Sequence, residues 1–260
     1  MGNIVNCNKI IEDLFGVENP DVNTLISSND GMYNRKANYA WEHYFSVGIS
    51  ALMNINLSMV AAGTSGTEIK NLLDFACGHG RVLRMLRAAF PHAVVTACDL
   101  NKDGVDFCSN VLGSIPVYAE HGKGNMPRFN NKFDLIWNGS MLTHLNHDIW
   151  KDYLNYFKSL LNPGGIIVFS THGPEVSNWL KNGKWNYDLD QKGIKTLIKE
   201  YNRSGFGYVN YQGSSNYGVS LVKPSRVLSL IEEIPGFRIL TYTEKSWDNH
   251  HDIVSLVKED

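Results

Sequence analysis

The sequence predicts an α/β protein with a doubly wound, mainly parallel β-sheet. Apolar runs of strand length alternate with amphipathic helical patterns, beginning with residues 71–75, a helix over residues 82–90 and a second run at 94–99. Further runs at 133–138 and 166–169 continue the alternation at short intervals. Such intervals favour parallel β-α-β units, in which the carboxyl ends of the strands share one edge and line the binding crevice.

Composition limits the classes of function. With 260 residues, 43% of them hydrophobic, the chain can bury one core, and we expect one domain with an elaboration. A net charge of −2 gives no basic footprint for nucleic acid. We expect no membrane span and no signal peptide, because the apolar runs are short and the start is polar. The four cysteines lack zinc-type spacing and indicate reduced thiols in a cytoplasmic protein.

The first 66 residues predict helices ahead of the sheet. Apolar residues at helical spacing cover residues 8–15 and then 35–62, where Gly48 is expected to break the second helix. A Gly-Thr-Ser-Gly linker follows at 63–66. The sequence therefore predicts an N-terminal helical cap over residues 1–66 and the main domain over residues 67–260.

A glycine-bearing turn follows the first predicted strand. Gly78 and Gly80 allow sharp bends and close approach of a ligand, and the amides of the next helix favour negatively charged groups. The dinucleotide fingerprint requires glycine or alanine where this chain has Leu83. Asp74, four residues before the first glycine, is placed to accept hydrogen bonds from a cationic or hydroxyl-bearing ligand.

The pattern acidic-x-x-x-Gly-x-Gly after a strand resembles motif I of the class I S-adenosylmethionine-dependent methyltransferases. Residues 133–145, which end in Thr143-His144-Leu145, and the Asn-Pro-Gly-Gly turn at 162–165 resemble later motifs of that family. The resemblance covers roughly residues 70–172. It implies a Rossmann-like sheet of seven strands with the last antiparallel, and S-adenosylmethionine as the cofactor, with S-adenosylhomocysteine as product.

The resemblance also implies a set of cofactor-binding residues. They are Asp74, Phe75, Ala76, Cys77, Gly78, Gly80, Asp99, Leu100 and Asn138, with Tyr44 and Gly48 from the cap at the methionine end. Asp99, at the end of the second strand, is expected to take the ribose hydroxyls, although a helix cap or a solvated turn is the alternative. For residues 44–48 the alternative is simple packing. The loop at 121–127 is expected to contact the adenine.

Residues 173–224 interrupt the alternation. They are rich in Gly, Asn, Tyr and Trp, and only residues 194–201 have a helical pattern. We expect an insertion on the acceptor side, because aromatic faces interspersed with polar groups suit a sugar or another small amphipathic molecule. The acceptor-binding candidates are Trp185, Tyr187, Tyr217 and Trp247. A lid that only packs, or the surface of a homodimer, is the alternative.

Three histidines are predicted to meet at the carboxyl edge. His144 and His172 follow the fourth and fifth strands, and His250 precedes the last strand, whose antiparallel direction brings its start to the same edge. Residues 246–252 resemble a closing segment, G-W-x-N-H-Q-D, of methyltransferases from bacterial surface-glycan pathways. Histidine suits proton removal from a hydroxyl, with Asp252 as an orienting partner, while loop-to-loop hydrogen bonding is the alternative. A metal site on His144, His172 and His250 is not predicted, because no tight H-x-H or D-x-D cluster supports it.

These observations together predict a methyltransferase that acts on a small molecule or a glycan intermediate, at a hydroxyl and by in-line displacement. Methylation of a nucleic-acid base is disfavoured, because Asn138-Gly139-Ser140 differs from the N-P-P-Y-like turn of such enzymes. A non-catalytic cofactor-binding protein with this fold is one alternative. A nicotinamide-dependent oxidoreductase is another, which the mismatch at Leu83 disfavours.

Overall fold

The computed structural model describes residues 2–120 and 126–259. The strands are β1 (Asn71–Phe75), β2 (Val94–Asp99), β3 (Ile115–Tyr118), β4 (Phe133–Asn138), β5 (Leu161–His172), β6 (Phe206–Asn210), β7 (Gly218–Val222), β8 (Phe237–Trp247) and β9 (His251–Lys258). The helices are α1 (Gly2–Phe15), α2 (Ala40–Ala62), α3 (Leu83–Ala89), α4 (Lys102–Leu112), α5 (His147–Leu160), α6 (Pro174–Lys181), α7 (Gln191–Ser204) and α8 (Pro224–Glu232).

Seven strands form one sheet in the order β3-β2-β1-β4-β5-β9-β8. The pairs β2–β3, β1–β2, β1–β4 and β4–β5 are parallel, whereas β9 runs antiparallel to both β5 and β8. The strand order reverses between β1 and β4, which is the switch point where open α/β sheets bind their ligands. The predicted doubly wound sheet of seven strands with an antiparallel last strand is therefore confirmed.

Both faces of the sheet are buried, as expected for a sheet with helices on each side. Each face of the sheet has its own hydrophobic core, and neighbouring residues on one strand point to opposite faces. Leu72 thus packs in the core with α2, α3 and α4, while Leu73 packs in the core with α5 and α8. On β9, Ile253 and Val254 divide in the same way. This alternation holds the strand ends in register, and polar residues at those ends project from one fixed edge.

Helix α2 corrects two expectations. It continues through Gly48, where we expected a break, because a Cβ at that position would lie 2.7 Å from Met85 Cγ and 2.9 Å from the Arg81 carbonyl. Glycine is thus required there for close packing of α2 on α3. The 23-residue helix is also long and apolar enough to cross a membrane by length and composition alone, which we did not predict. Of its most apolar 18-residue stretch, 56% is buried, as in the core helix of a soluble domain.

The insertion is more ordered than its sequence indicated. Besides α7, which extends the single predicted helix, it contains α6 and an antiparallel hairpin of β6 and β7. These elements share a small core of their own, formed by Val176, Leu180, Leu189, Ile194, Leu197, Tyr201, Val219 and Leu221. The helical pattern of α6 was missed because only Val176 and Leu180 of its eight residues are buried hydrophobic side chains.

Candidate functional site

The turn between β1 and α3 has left-handed backbone at alternate residues. Ala76, Gly78 and Gly80 have φ values of 69°, 52° and 78°. The Ala76 amide donates to the Cys98 carbonyl (2.7 Å), which ties the turn to β2. A Cβ at Gly80 would collide with the Leu112 side chain, whereas the space beside Gly78 is open. Gly80 is therefore a packing glycine, and Gly78 leaves room beside the backbone for a ligand.

Two buried oxygens at this turn have no hydrogen-bond partner within the described parts of the chain. They are Oδ2 of Asp74, on β1, and Oδ1 of Asn138, at the end of the neighbouring β4. The Asn138 amide nitrogen donates to the Phe75 carbonyl (3.0 Å), which fixes the side chain across the two strand ends. Burial, aided by the charge of Asp99, raises the pKa of Asp74 to about 8. Unsatisfied buried acceptors are costly, so this pair fits a ligand that brings donors, such as an ammonium group.

Asp99 lies at the carboxyl end of β2 and faces the turn. Its Oδ2 accepts from the Gly78 amide (2.8 Å), and its Oδ1 accepts from the Asn101 amide (2.8 Å). The alternative role of a helix cap belongs to Asn101 instead, because that side chain accepts from the Gly104 amide at the start of α4. Leu100, between them, is 44% exposed. Asp99 thus stands at the crevice, where a carboxylate suits the two hydroxyls of a ribose.

The remaining predicted cofactor residues differ in exposure. Phe75 is buried in the core beneath α5, and Cys77 is a buried free thiol. Tyr44 is buried, its hydroxyl donates to Asp30 Oδ2 (2.6 Å), and Arg84 lies over its ring. These contacts give Tyr44 a packing role. Together with Gly48, it lies in the interface between α2 of the cap and α3. Their contact with the cofactor stays a prediction, and residues 121–125 of the expected adenine loop lie outside the described residues.

His144 lies just after β4 and contacts the insertion. Its Nδ1 is 2.9 Å from the Gly218 carbonyl and 3.1 Å from the Tyr211 hydroxyl, and its ring packs on Tyr217 at 5.0 Å between centroids. Because a carbonyl only accepts, Nδ1 carries the proton and Nε2 keeps its lone pair. Burial lowers the pKa of His144 below its usual 6.5, with the bond to Gly218 opposing the shift. The ring is therefore a neutral base near neutral pH.

A second group of histidines lies where β5 meets β9. His172, the last residue of β5, pairs in register with His251, the first residue of β9, and the turn before β9 adds His250. One nitrogen from each ring lies within 4.8 Å of the other two. Burial lowers the pKa of all three, most strongly for His172 and His251. His250 lowers the pKa of both of these residues, and His172 also lowers the pKa of His251. We call His172, His250 and His251 the histidine cluster.

Asp252 does not orient this cluster, which corrects the prediction from the sequence. Successive residues of a strand point to opposite faces, so Asp252 points away from His251. Its carboxylate accepts from the Tyr242 hydroxyl (2.7 Å) and from the Lys245 amide (2.8 Å). Burial raises the pKa of Asp252 to about 6, against the effect of these two bonds. The partner of His250 is instead the Asp248 carbonyl, 2.6 Å from Nδ1.

Trp247 contacts the histidine cluster, with its ring 4.8 Å from that of His251 between centroids. It is buried, its Nε1 donates to the Val47 carbonyl (3.0 Å), and its ring packs edge-on against Trp137. A Cβ at Gly139 would lie 2.8 Å from the Trp247 ring, so the glycine after β4 is what allows this approach. Nothing in the sequence alone identified Gly139, because its role depends on a residue more than 100 positions away.

The other aromatic candidates lie in the insertion at different depths. Trp185 is 60% exposed and Tyr217 is 50% exposed. Tyr187 packs against His172 at 4.8 Å between ring centroids, and its hydroxyl is buried without a partner in the described structure. Their contact with an acceptor stays a prediction. Two residues that we did not predict join them, Tyr211 beside His144 and Trp179 stacked on His250.

One cavity is lined by residues outside the predicted site. It has a volume of about 370 Å³ and is lined by Asn146, His147, Asp148, Glu200, Arg203, Ser204, Phe206, Tyr208 and Arg226. None of the predicted site residues lines it. We therefore place the candidate site at the carboxyl edge of the sheet, where the orphaned acceptors and the histidines lie.

Part of the chain is similar to known methyltransferases. Residues 72–165 match the family model described as methyltransferase domain. A fatty-acid O-methyltransferase of Mycolicibacterium smegmatis is 28% identical over 131 residues, which are 48% of this chain and 46% of that protein. A malonyl-[acyl-carrier protein] O-methyltransferase of Ilyobacter polytropus is 25% identical over 134 residues, which are 50% of each chain. The chain thus spans about half the length of these curated relatives.

Solved structures show the same fold. A crystal structure of an S-adenosylmethionine-dependent methyltransferase from Clostridium acetobutylicum aligns with a TM-score of 0.55 at 16% identity, over 89% of this chain and 96% of that one. The plantazolicin methyltransferase BpumL, solved with S-adenosylhomocysteine, aligns with a TM-score of 0.57 at 10% identity, over 100% and 97% of the two chains. The fold shared with both is the seven-stranded sheet described above.

Proposed function

We propose that this chain, which carries a class I S-adenosylmethionine-dependent methyltransferase domain, transfers a methyl group to a hydroxyl of a small-molecule acceptor such as a sugar. The observation that carries the proposal is the pairing of two features at one sheet edge. The first is a glycine turn with buried acceptors that have no donor among the described residues, and the second is a neutral histidine whose Nε2 keeps its lone pair. The first fits the cofactor, and the second fits an acceptor that must lose a proton.

The residues of the turn fit the cofactor in chemistry. Asp74 and Asn138 offer buried oxygens to an ammonium group, Asp99 offers a carboxylate to ribose hydroxyls, and the open side of Gly78 admits the ligand. When bound, S-adenosylmethionine supplies a methyl group that its sulfonium charge has activated. The work left to the protein is to hold the acceptor in line, to exclude water and to accept the hydroxyl proton.

We assign the proton acceptor to His144. Its Nδ1–H is engaged by the Gly218 carbonyl, so the ring is held in one tautomer with Nε2 unprotonated. Tyr211 and Tyr217 flank it, which adds aromatic faces of the kind that pack on a sugar ring or another small amphipathic molecule. His172 and His250, the other predicted catalytic residues, lie at the same edge, and the Tyr187 ring packs against His172.

Two aspects of the curated relatives bear on the acceptor. Their names specify methylation at oxygen, of a fatty acid and of a malonyl group on acyl-carrier protein. Oxygen as the acceptor atom agrees with a histidine base. A carboxylate, however, has already lost its proton at neutral pH, whereas a hydroxyl needs the base. The environment of His144 therefore favours a hydroxyl for this chain. The four buried free cysteines accord with the cytoplasmic location that we propose for it.

The proposal is tested by methyl transfer from labelled S-adenosylmethionine to a panel of nucleotide sugars, hydroxylated small molecules and free fatty acids. We expect label on a hydroxyl compound, lost in His144→Ala and kept in the matched control His147→Ala, whose histidine lies on α5 outside the site. Transfer to a fatty-acid carboxylate that is indifferent to His144→Ala would contradict the hydroxyl assignment. Binding of S-adenosylhomocysteine without transfer to any acceptor would favour the non-catalytic alternative.

A further inference from the structure

Several buried ring nitrogens of the histidine cluster lack a well-formed hydrogen bond within the described parts of the chain. Neither ring nitrogen of His172 and not Nδ1 of His251 has a well-formed hydrogen bond among the described residues, although these atoms are buried. The Ser220 backbone makes only a weak bond to His172, which opposes the lowering of the His172 pKa by burial. A neutral imidazole always carries one N–H and one lone pair, so apart from the weak bond to the Ser220 backbone His172 leaves its lone pair unmatched. Buried polar atoms are nearly always paired, so such a group indicates a ligand.

The third ring is already oriented as a metal ligand would be. Because Nδ1 of His250 donates to the Asp248 carbonyl (2.6 Å), Nε2 keeps the lone pair. Trp179 stacks on the ring at 4.8 Å and 28°, which fixes its plane. Metal-bound histidines usually donate their second nitrogen to a carboxylate or a backbone carbonyl in this way, which sets the tautomer and the direction of the free nitrogen.

The spacing of the three rings suits one small ion. Centroid distances are 4.2 Å for His250–His251, 4.8 Å for His172–His251 and 6.3 Å for His172–His250, and one nitrogen from each lies within 4.8 Å of the others. Tetrahedral zinc with Zn–N bonds of about 2.0 to 2.1 Å places its ligand nitrogens about 3.4 Å apart. Small ring rotations close that difference. Tyr187 packs against His172 at 4.8 Å between ring centroids, and its buried hydroxyl has no partner among the described residues.

The charges around the cluster are mixed. Arg81 lies close enough to disfavour protonation of His250 and His251, and its charge also opposes a bound cation. The Asp248 carboxylate, which accepts from His43 Nε2 at 2.8 Å, provides the compensating charge on the same side. Three nitrogen donors without a carboxylate select divalent transition metals and not Mg²⁺ or Ca²⁺, which prefer oxygen.

We propose that His172, His250 and His251 form a three-histidine site for a divalent transition-metal ion, with Zn²⁺ as the primary candidate. Three protein ligands leave the fourth position open, as in catalytic zinc sites. Ion binding is independent of the proposed function. The use of the open position rests on it: an acceptor oxygen bound there would lose its proton more readily, because the ion stabilises the alkoxide.

The test uses the full chain treated with a chelator and then titrated with Zn²⁺ and, separately, with Co²⁺. We expect one ion per chain by elemental analysis and the visible absorption bands of a tetrahedral Co²⁺ site. His250→Ala, which removes a half-buried ligand, should weaken Zn²⁺ binding about 100-fold or more. The matched control is His92→Ala, because His92 is exposed and remote from the cluster. Thermal unfolding checks that each variant folds.

Two results overturn the metal site. One is a chelator-treated chain that takes up no more Zn²⁺ or Co²⁺ than expected of exposed histidines. The other is a folded His250→Ala protein that binds Zn²⁺ as tightly as His92→Ala. Binding of S-adenosylhomocysteine, measured on the same samples, separates this proposal from the proposed function. Metal uptake without cofactor binding would support the metal site and contradict the proposed methyltransferase function. Cofactor binding without metal uptake would support the proposed function and contradict the metal site.

Discussion

The carboxyl edge has a proposed cofactor half and a proposed acceptor half, and the two are built in different ways. On the cofactor half, Asp74, Gly78 and Asp99 come from two adjacent parallel strands within 26 residues of sequence, and the backbone of one turn joins them. On the acceptor half, His144, His172 and His250 come from three segments spread over more than 100 residues. Local sequence specifies the first half, and the antiparallel pairing of β5 with β9 assembles the second. The residues of a cofactor site can therefore be recognised from local sequence motifs, whereas the residues of an acceptor site come together only through the pairing register of distant strands.

The largest effect is expected on the acceptor half. His144→Ala should lower kcat by about 100-fold or more, because a positioned base contributes roughly 10² to 10⁴ to proton removal. S-adenosylhomocysteine affinity should stay unchanged, since His144 contacts the insertion and not the glycine turn. Steady-state kinetics and calorimetry on the same protein measure both. Equal losses of kcat and of cofactor affinity would mean that the two halves are not separable.

The next effect belongs to the cofactor half. Asp99→Ala should weaken S-adenosylhomocysteine binding by about 10- to 100-fold, because a charged acceptor for hydroxyls and for the Gly78 amide is lost. Isothermal titration measures the affinity, with Asp21→Ala as the matched control on an exposed carboxylate. Affinity equal to that of the control would remove Asp99 from the ribose site.

A third prediction separates the two glycines of the turn. Gly80→Ala should destabilise the fold by about 1 to 3 kcal/mol, because φ is positive and the new methyl group collides with Leu112. Gly78→Ala should lower the free energy of unfolding by only about 1 kcal/mol, the strain of placing a Cβ on left-handed backbone, because the space beside Gly78 is open. Denaturant unfolding gives both free energies. A larger loss for Gly78→Ala than for Gly80→Ala would reverse our assignment of packing and ligand roles.

The last prediction is a change in the pH dependence of stability. Since the pKa of Asp74 is about 8 in the folded protein and 3.8 in the unfolded chain, the folded state binds the proton more tightly. The stabilisation from this group is complete below 3.8 and is lost as the pH rises through about 8. As the pH rises from 3.8 to about 8, the free energy of unfolding of Asp74→Asn should therefore fall less than that of the wild type. Unfolding curves at several pH values measure the slope, and parallel slopes for the two proteins would contradict a buried, protonated Asp74.

Much of the fold was predictable because it is periodic. Four of the five parallel strands, β1, β2, β4 and β5, follow from apolar runs, and the capping role of Asn101 follows from its position before α4. The continuous α2 was not predicted, because the packing reason for Gly48 lies on α3. The hairpin of β6 and β7 was not predicted either, since its strands pair only with each other and cover a small separate core.

The site was predictable to the extent that its residues follow strand ends. His144 and His172 lie where the sequence predicted them, and so does Asp99. His251 was missed as a member of the histidine cluster because its facing depends on the register with His172. The same alternation that brings His251 in turns Asp252 out, which is why the predicted orienting carboxylate was wrong. One residue of register along β9 decides between these two arrangements.

The most direct test of the central claim is thermal unfolding of the wild type and of Asp99→Ala with S-adenosylhomocysteine or NAD. At 100 times the dissociation constant, a ligand that binds only the folded state adds about 2.7 kcal/mol, which raises Tm by roughly 5 to 10 °C for a chain of this size. We predict such a rise for the wild type with S-adenosylhomocysteine, a much smaller one for Asp99→Ala at the same concentration, and none with NAD. A rise with NAD, or no rise with S-adenosylhomocysteine, would contradict a cofactor site at this turn.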